Sequence, residues 1–172
     1  MQRRVVVGVS GSLGSLTALH RATAEAQERN AELYAVLAWQ LPGGGLGSRA
    51  TYGTAVLGEC REAARDDLCT ALDTAFAAGR PGVTLVGCTV RGDPGAVLVD
   101  AVRSSDDLLV VGTGIRGRWF PGLRAPVARH CLAHAPCPVL AVPPNPLEAE
   151  IAAVRRRTWS RGSTARRSPR PS

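Results

Sequence analysis

The chain has 172 residues, of which 45% are apolar and 20% are charged. This length is that of one ordinary domain, and the apolar fraction is sufficient for a packed core, which excludes a wholly disordered chain. All 21 basic residues are arginine. The absence of lysine excludes Schiff-base catalysis and any phosphate site that depends on the lysine of a Walker-type loop.

The positive charge of the chain is concentrated at its C-terminus. Residues 145–172 carry seven arginines against two glutamates, a net charge of +5, whereas residues 1–144 hold 14 arginines and 12 acidic residues, a net charge of +2. We therefore predict a folded domain over residues 1–144 and a disordered, Arg/Pro-rich basic tail over residues 145–172. The tail is interpreted as a solvated terminus, and weak, salt-dependent contact with nucleic acid is the alternative.

Cysteine usage and the apolar runs indicate the cellular compartment. The five cysteines are scattered and include no CxxC pair, a pattern typical of reduced thiols in a cytoplasm rather than of a disulfide framework. The apolar run Val5–Val9 is too short for a signal peptide, and no run approaches the ~18 residues of a membrane span. We predict a soluble, cytoplasmic protein without membrane contact.

Short apolar runs alternate with helical patterns along the domain. The predicted strands are Arg4–Ser10, Leu33–Trp39, Val83–Val90, Leu108–Val111 and Pro138–Val142. The four predicted helices begin after a cap at Ser12 or Ser15, near Val56, at Pro94 behind an Asp93 cap, and at Val127. Strands that are joined by helices predict parallel pairing through right-handed crossovers, and hence a doubly wound α/β sheet.

In such a sheet a ligand binds at the C-terminal ends of the strands, where the strand order reverses. This principle points to the loops after the first and fourth strands, Ser10–Ser15 and Gly112–Arg124. The second loop contains Gly-x-Gly-x-x-Gly, but two prolines delay the next helix and no acidic residue follows about 20 residues later. We interpret it as a loop and not as a dinucleotide fingerprint.

Four segments resemble, in order, the universal stress protein family. They are Val5-Val-Val-Gly-Val-Ser-Gly-Ser12, Gly92-Asp-Pro94, Leu109-Val-Val-Gly-Thr113 and His134-Ala-Pro-Cys-Pro-Val139. The resemblance spans about residues 3–143. It implies a five-stranded parallel sheet of order 3-2-1-4-5, with the adenine-nucleotide-hydrolase-like fold, and a regulatory role in the stress response.

The resemblance also implies a nucleotide loop, which this chain carries in degenerate form. ATP-binding members have Gly-x-x-Gly, nine residues and Gly-Ser or Gly-Thr after the fourth strand, so that backbone N–H groups and a hydroxyl surround the phosphates. Here Gly112 holds the first position, but the second falls on Ile115 and the closing pair falls on Ala125 and Pro126. The acidic residue that such members carry after the first strand falls on Ser10.

We predict nucleotide contacts at eight residues, which are Ser10, Gly11, Ala38, Gly112, Gly114, Arg116, Gly117 and Val127. Arginines at 116, 118 and 124 offer direct pairing with phosphate as compensation for the lost loop pattern. We predict no obligatory cofactor, with ATP as the alternative. We predict no catalytic residue either, because neither loop contains an Asp, Glu or Lys that would serve as a base or nucleophile.

One cluster of metal-ligating residue types stands out, formed by His130, Cys131, His134 and Cys137. Histidines four apart share a helix face, which is the spacing of a metal-binding pair. The resemblance, however, implies that the segment His134–Cys137 packs between the last helix and the last strand. We therefore predict packing and no metal site.

Three functions compete at this point. We favour a regulatory domain that folds, dimerises and docks unidentified regulatory proteins, and the alternative is an ATP-binding sensor whose partner affinity depends on its ligand. A nucleotide hydrolase is the weakest interpretation.

The last predicted strand, Pro138–Val142, is short and apolar, and as an edge strand it requires cover. The resemblance implies that this strand pairs across a twofold axis, which predicts a homodimer.

Overall fold

A computed structural model of the chain describes residues 3–41, 54–113 and 126–145. Strands and helices alternate in the order β1 (Arg4–Val9), α1 (Leu13–Glu28), β2 (Glu32–Trp39), α2 (Thr54–Ala75), β3 (Leu85–Arg91), α3 (Pro94–Ala101), β4 (Leu108–Gly112), α4 (Pro126–His134) and β5 (Val139–Val142). Within the described ranges, no helix is long and apolar enough to span a membrane. The predicted basic tail lies outside the described residues except for Asn145, and the cytoplasmic location stays a prediction.

The five strands form one parallel sheet in the spatial order β3-β2-β1-β4-β5. This confirms the predicted doubly wound architecture and strand order. Val5 of the central strand β1 lies opposite Leu33 of β2 on one side and Leu108 of β4 on the other. The chain fills one half of the sheet with β1, β2 and β3 and the other half with β4 and β5, so the order reverses between β1 and β4.

Two helices cover each face of the sheet. Val5 belongs to the core that α1 and α2 cover, and Val6 belongs to the core that α3 and α4 cover; neither side chain has any exposed surface. Because both faces are covered, β1 has a continuous run of valines instead of an alternation of apolar and polar residues. The continuous run in the sequence therefore reflects burial on both sides of the strand.

Local capping chemistry determines where α1 and α3 begin. Ser12 is the N-cap of α1, and its Oγ accepts a hydrogen bond of 3.3 Å from the backbone N–H of Ser15, which lies inside the helix. Asp93 caps α3 by accepting from the N–H of Gly95 at 3.0 Å, and Pro94 holds the first helical position. Both arrangements satisfy N–H groups that have no partner within the helix.

Several element boundaries differ from the prediction by one or two residues, and two of these differences have a local cause. Strand β3 begins at Leu85 and not at Val83, because the chain still turns at Gly82, where φ is 67°. Helix α4 begins at Pro126 and not at Val127. Proline is well suited to a first helical position because its missing N–H would have no partner there.

A buried ion pair joins the N-terminal ends of β1 and β4. Arg4 Nη2 lies 3.2 Å from Asp107 Oδ2, and the two side chains are only 7% and 3% exposed. The Arg4 guanidinium also donates to the carbonyl oxygen of Ala101 at 3.0 Å and lies 5.1 Å from the centroid of the Tyr34 ring. Asp107 Oδ2 additionally accepts from two backbone N–H groups of the preceding turn, at 3.0 and 3.3 Å. Each buried charge therefore has polar partners in addition to the opposite charge.

Replacing Asp107 by alanine tests this ion pair. The substitution leaves the Arg4 guanidinium buried without an anion, so we expect D107A to lower the free energy of unfolding by about 3–5 kcal/mol. Asp106→Ala is the matched control, since Asp106 is exposed, and it should change stability by no more than about 0.5 kcal/mol. Urea unfolding followed by circular dichroism measures both. Equal effects of the two substitutions would contradict the assignment.

Candidate functional site

A cleft of about 150 Å³ opens where the C-terminal ends of β1 and β4 separate, at the switch point of the sheet. The first turns of α1, α3 and α4 form its walls. Its described lining combines small, apolar and hydroxyl-bearing residues, which are Gly8, Val9, Ser10, Ser12, Gly14, Ser15, Val36, Ala38, Pro94, Leu98, Val111, Gly112 and Val127.

Serine hydroxyls provide the polar side of this cleft. The Oγ atoms of Ser10 and Ser12 lie 3.0 Å apart, within hydrogen-bond distance, and both residues are exposed. Ser15 is buried, and its Oγ donates to the carbonyl oxygen of Ser12 at 2.8 Å. Because Ser12 caps α1, these hydroxyls lie beside a helix N-terminus, where the local field favours negatively charged or strongly polar groups.

The opposite side of the cleft is apolar. It is formed by Val36 and Ala38 of β2, Leu98 of α3, Val111 of β4 and Val127 of α4. All five side chains belong to or pack against the core beneath α3 and α4. An apolar floor opposite a few convergent polar groups is the usual composition of a small-molecule site. This composition suits a small ligand with an apolar part and a polar end.

Two glycines allow the close packing that shapes the cleft. A Cβ on Gly112 would lie 2.8 Å from the carbonyl oxygen of Gly14, so β4 and α1 approach each other backbone to backbone. A Cβ on Gly8 would lie 2.8 Å from Cδ1 of Leu98. Glycine in a strand marks such a close approach. Any side chain at position 112 would press α1 away from β4.

The described lining of the cleft contains no titratable side chain. A serine hydroxyl is a weak nucleophile unless an adjacent base removes its proton. Residues 114–125 lie outside the described residues, and their sequence contains three arginines but no Asp, Glu, His or Lys. The described lining therefore offers polar and apolar groups suited to binding a ligand, and none of its side chains suits general acid–base chemistry.

The cluster of histidines and cysteines lies on α4 and in the turn that follows it. Cys131 is completely buried, and burial raises its pKa to about 11, so this thiol is protonated at neutral pH. Burial also raises the pKa of Cys137. His134 is exposed, and its ring stacks on that of His130 with the two centroids 4.3 Å apart. In the part of the chain that the structure describes, no three potential metal ligands lie together.

The packing predicted for the segment His134–Cys137 holds for part of it. Ala135 and Cys137 pack against the core beneath α3 and α4. The prediction is wrong for His134, whose ring faces solvent because it lies on the outer side of the last turn of α4.

A comparison of the sequence with protein families gives a match over most of the domain. The sequence model of the universal stress protein family matches residues 1–143. The chain belongs to this family. A search of curated protein sequences gave no match.

Solved universal stress proteins share this fold. One from Lactobacillus plantarum is 21% identical, with a TM-score of 0.62 over 81% of this chain and 97% of that chain. Another, from Burkholderia pseudomallei, is 28% identical, with a TM-score of 0.56 over 83% of this chain and 96% of that one. A third, solved in complex with cAMP, is 28% identical, with a TM-score of 0.58 over 83% and 98% of the two chains.

The structure brings together some of the eight residues that are predicted to contact a nucleotide in this universal stress protein. Four of the eight residues line the cleft, namely Ser10, Ala38, Gly112 and Val127. Gly11 is not among the described lining residues; it forms the turn between β1 and α1 with a φ of 64°. The remaining three, Gly114, Arg116 and Gly117, lie outside the described residues. Ligand contact by all eight stays a prediction.

The sequence analysis did not predict that helix α3 contributes to the cleft. Pro94 and Leu98 line it, although the sequence marks Pro94 only as a helix start. Ser12 and Ser15 lie in the loop Ser10–Ser15, which the switch-point principle indicates, but they are not among the eight predicted contact residues.

Substitution of Gly112 by alanine tests the close approach of β4 to α1. The new Cβ would meet the Gly14 carbonyl oxygen, so we expect G112A to destabilise the fold by about 1–3 kcal/mol. Gly58→Ala is the control, because a Cβ on Gly58 in α2 meets no atom within 4 Å, and alanine stabilises a helix interior by about 0.5–1 kcal/mol. Urea unfolding measures both. If G112A were as stable as the parent protein, the backbone contact would be misassigned.

Proposed function

We propose that this universal stress protein is a non-catalytic regulatory protein of the stress response. It acts through partner docking, and its nucleotide site is degenerate. The observation that carries the proposal is the neutral lining of the cleft, which offers hydroxyls, backbone groups and apolar surface but no described acid or base. Such a lining supports binding without chemistry, because hydrolysis of a phosphate ester requires a positioned base or a water activated by one.

The position of Pro126 supports the degenerate state of the nucleotide site. It is the first residue of α4 and stands where ATP-binding members carry Ser or Thr. Proline lacks both the N–H and the hydroxyl that would face a phosphate. Two charge-assisted hydrogen bonds, worth about 1.5–3 kcal/mol each, are lost. The combined loss of roughly 3–6 kcal/mol weakens ATP binding by about 10²- to 10⁴-fold, from micromolar towards millimolar.

Calorimetric titration with ATP tests this proposal. We expect weak binding to the parent protein, and about 10- to 100-fold tighter binding to Pro126→Ser, because the variant regains an N–H and a hydroxyl at the helix N-terminus. Pro143→Ser is the matched control; it is exposed after β5 and takes no part in the cleft. Submicromolar ATP binding by the parent protein, or release of phosphate from ATP, would refute the proposal.

A second candidate function is that of a nucleotide-dependent sensor. Two observations favour it: the cleft joins an apolar floor to hydroxyls at the α1 N-terminus, and a universal stress protein that is 28% identical was solved in complex with cAMP. A small adenine nucleotide with a single phosphate would depend less on the altered loop than ATP does. Native mass spectrometry of freshly purified protein separates the candidates, because a co-purified adenine nucleotide supports the sensor and unliganded protein supports the docking module.

The edge strand β5 supports the proposal of a homodimer. It pairs only with β4 within the described residues, and its residues Val139, Leu140 and Ala141 are half-buried. Leu132, on the helix that packs beside it, is 59% exposed. Unpaired backbone groups and exposed apolar side chains in one place are typical of a strand that pairs across a twofold axis.

A charge on β5 should separate the two copies. In Ala141→Glu, carboxylates of the two subunits approach each other across the twofold axis, so we expect monomers in sedimentation experiments at tens of micromolar, where the parent protein is dimeric. Val90→Glu is the control, since Val90 lies on the opposite edge strand and is 39% exposed; this variant should stay dimeric. A monomeric parent protein, or loss of the dimer in V90E alone, would contradict the assignment to β5.

Two statements about other partners stay predictions from the sequence. One is the docking of regulatory proteins, for which no particular partner is indicated. The other is weak contact between nucleic acid and the basic tail, which lies outside the described residues except for Asn145.

A further inference from the structure

A second cavity, which we call the α3 groove, lies beside α3 and is separate from the switch-point cleft. Its volume is about 380 Å³. The cleft is lined by Pro94 and Leu98 of α3, whereas the groove is lined by Val97 and Asp100 of the same helix. The two cavities share no described lining residue, so occupation of the groove does not require the groups of the cleft.

The floor of the α3 groove is a strip of sheet that no described helix covers. On this face α3 packs on β1 and β2 and α4 packs on β4 and β5, which leaves the outer strand β3 uncovered in the described part of the chain. Val90 of β3 is 39% exposed, and Cys88 of β3 and Tyr34 of β2 are half-buried. An exposed apolar strip rimmed by polar residues is typical of a surface that binds another segment.

Charged side chains of both signs line the α3 groove. They are Arg91, Asp93, Asp100 and Arg103. All four are exposed, and none of them forms an ion pair with another described residue. Asp93 and Asp100 are seven positions apart, which corresponds to ~10 Å along a helix. The groove therefore presents two carboxylates at a defined spacing beside an apolar floor.

The C-terminal tail contains a single aromatic residue, and arginines flank it. Trp159 lies between Arg157 and Arg161, in the part of the chain that lies outside the described residues. These arginines are four positions apart, which spans up to ~13 Å in an extended chain. This span is comparable to the spacing of the two carboxylates in the groove. The segment thus matches the groove in polarity, charge and length.

The tail is long enough to reach the α3 groove. The chain leaves β5 at the C-terminal edge of the parallel sheet, which is also the edge at which Arg91 and Asp93 line the groove. Strands β5 and β3 are four strand spacings apart, or ~19 Å. The 14 residues from Asn145 to Trp159 span up to roughly 45 Å when extended. One chain can therefore place Trp159 in its own groove.

From this match we infer that residues 157–161 dock in the α3 groove of their own chain. The indole of Trp159 covers Cys88 and Val90 on the floor. An indole buries more apolar surface than most side chains, which offsets the conformational freedom that the segment loses. Docking gives these five residues an ordered position in place of the solvated state that the composition of the tail predicts.

Two ion pairs set the direction of the docked segment. Asp93 lies at the edge of the sheet where the tail arrives, so the earlier arginine, Arg157, pairs with it. Arg161 then pairs with Asp100, which lies farther along α3. Because exposed ion pairs contribute little affinity, they orient the segment, while the buried aromatic anchor supplies most of the affinity.

Alkylation of Cys88 by N-ethylmaleimide tests the docking in the full chain, with peptide mass spectrometry to follow each thiol. Truncation of a central aromatic anchor weakens docking by roughly tenfold or more, so Trp159→Ala should raise the alkylation rate of Cys88 by about three- to tenfold. Cys69, which is exposed on α2, should react at the same rate in both proteins. Trp119→Ala is the matched control and should leave the rate at Cys88 unchanged.

An exchange of charges tests the direction of the segment. Asp100→Arg places a guanidinium next to Arg161, so it should raise the alkylation rate of Cys88 as Trp159→Ala does. Addition of Arg161→Asp to that variant re-forms the pair with reversed signs and should restore the protection. A double variant that is as reactive as Asp100→Arg alone would contradict the pairing of these two residues.

Three outcomes would overturn the inference. The first is an equal alkylation rate of Cys88 in the parent protein and in Trp159→Ala. The second is a faster rate in Trp119→Ala, which would assign the groove to residues 114–125. The third is a protection of Cys88 that increases with protein concentration, which would assign the groove to a second copy of the chain.

Discussion

The ion pair between Arg4 and Asp107 determines how the two halves of the sheet meet. It joins the first residue of β1 to the residue that precedes β4, and in this arrangement Val5 lies opposite Leu108. Desolvation of two charges is costly, and the cost is offset here by further contacts: Arg4 donates to the carbonyl oxygen of Ala101 and lies over the Tyr34 ring, and Asp107 accepts from two backbone N–H groups. The cleft opens at the other end of the same two strands, so the ion pair and the cleft lie at opposite ends of the junction between the two halves of the sheet.

Much of the fold follows from short-range chemistry. The Asp93–Pro94 start of α3 and the stop of α1 near Asn30, where φ is 48°, depend on residues within one turn of the boundary. The continuous apolar run of β1 depends only on burial on both faces. Such features are readable from sequence because their causes lie within a few residues. The order of the strands required more, namely the rules of crossover handedness and the resemblance to universal stress proteins.

The site was less accessible to sequence reasoning because its shape depends on contacts between distant segments. The approach of Gly112 to Gly14 joins residues almost one hundred positions apart, and that of Gly8 to Leu98 joins strands and helices from different halves of the chain. The orientation of His134 illustrates the same limit. Helical spacing predicted that it shares a face with His130, but whether that face meets the core or the solvent is decided by how α4 lies on the sheet.

The neutral lining of the cleft has a consequence for the conditions under which it works. The described lining offers hydroxyls, backbone groups and apolar surface, so none of its side chains gains or loses a proton as the surroundings become more acidic. Its occupancy would follow the abundance of the occupant instead of the ionic state of the surroundings.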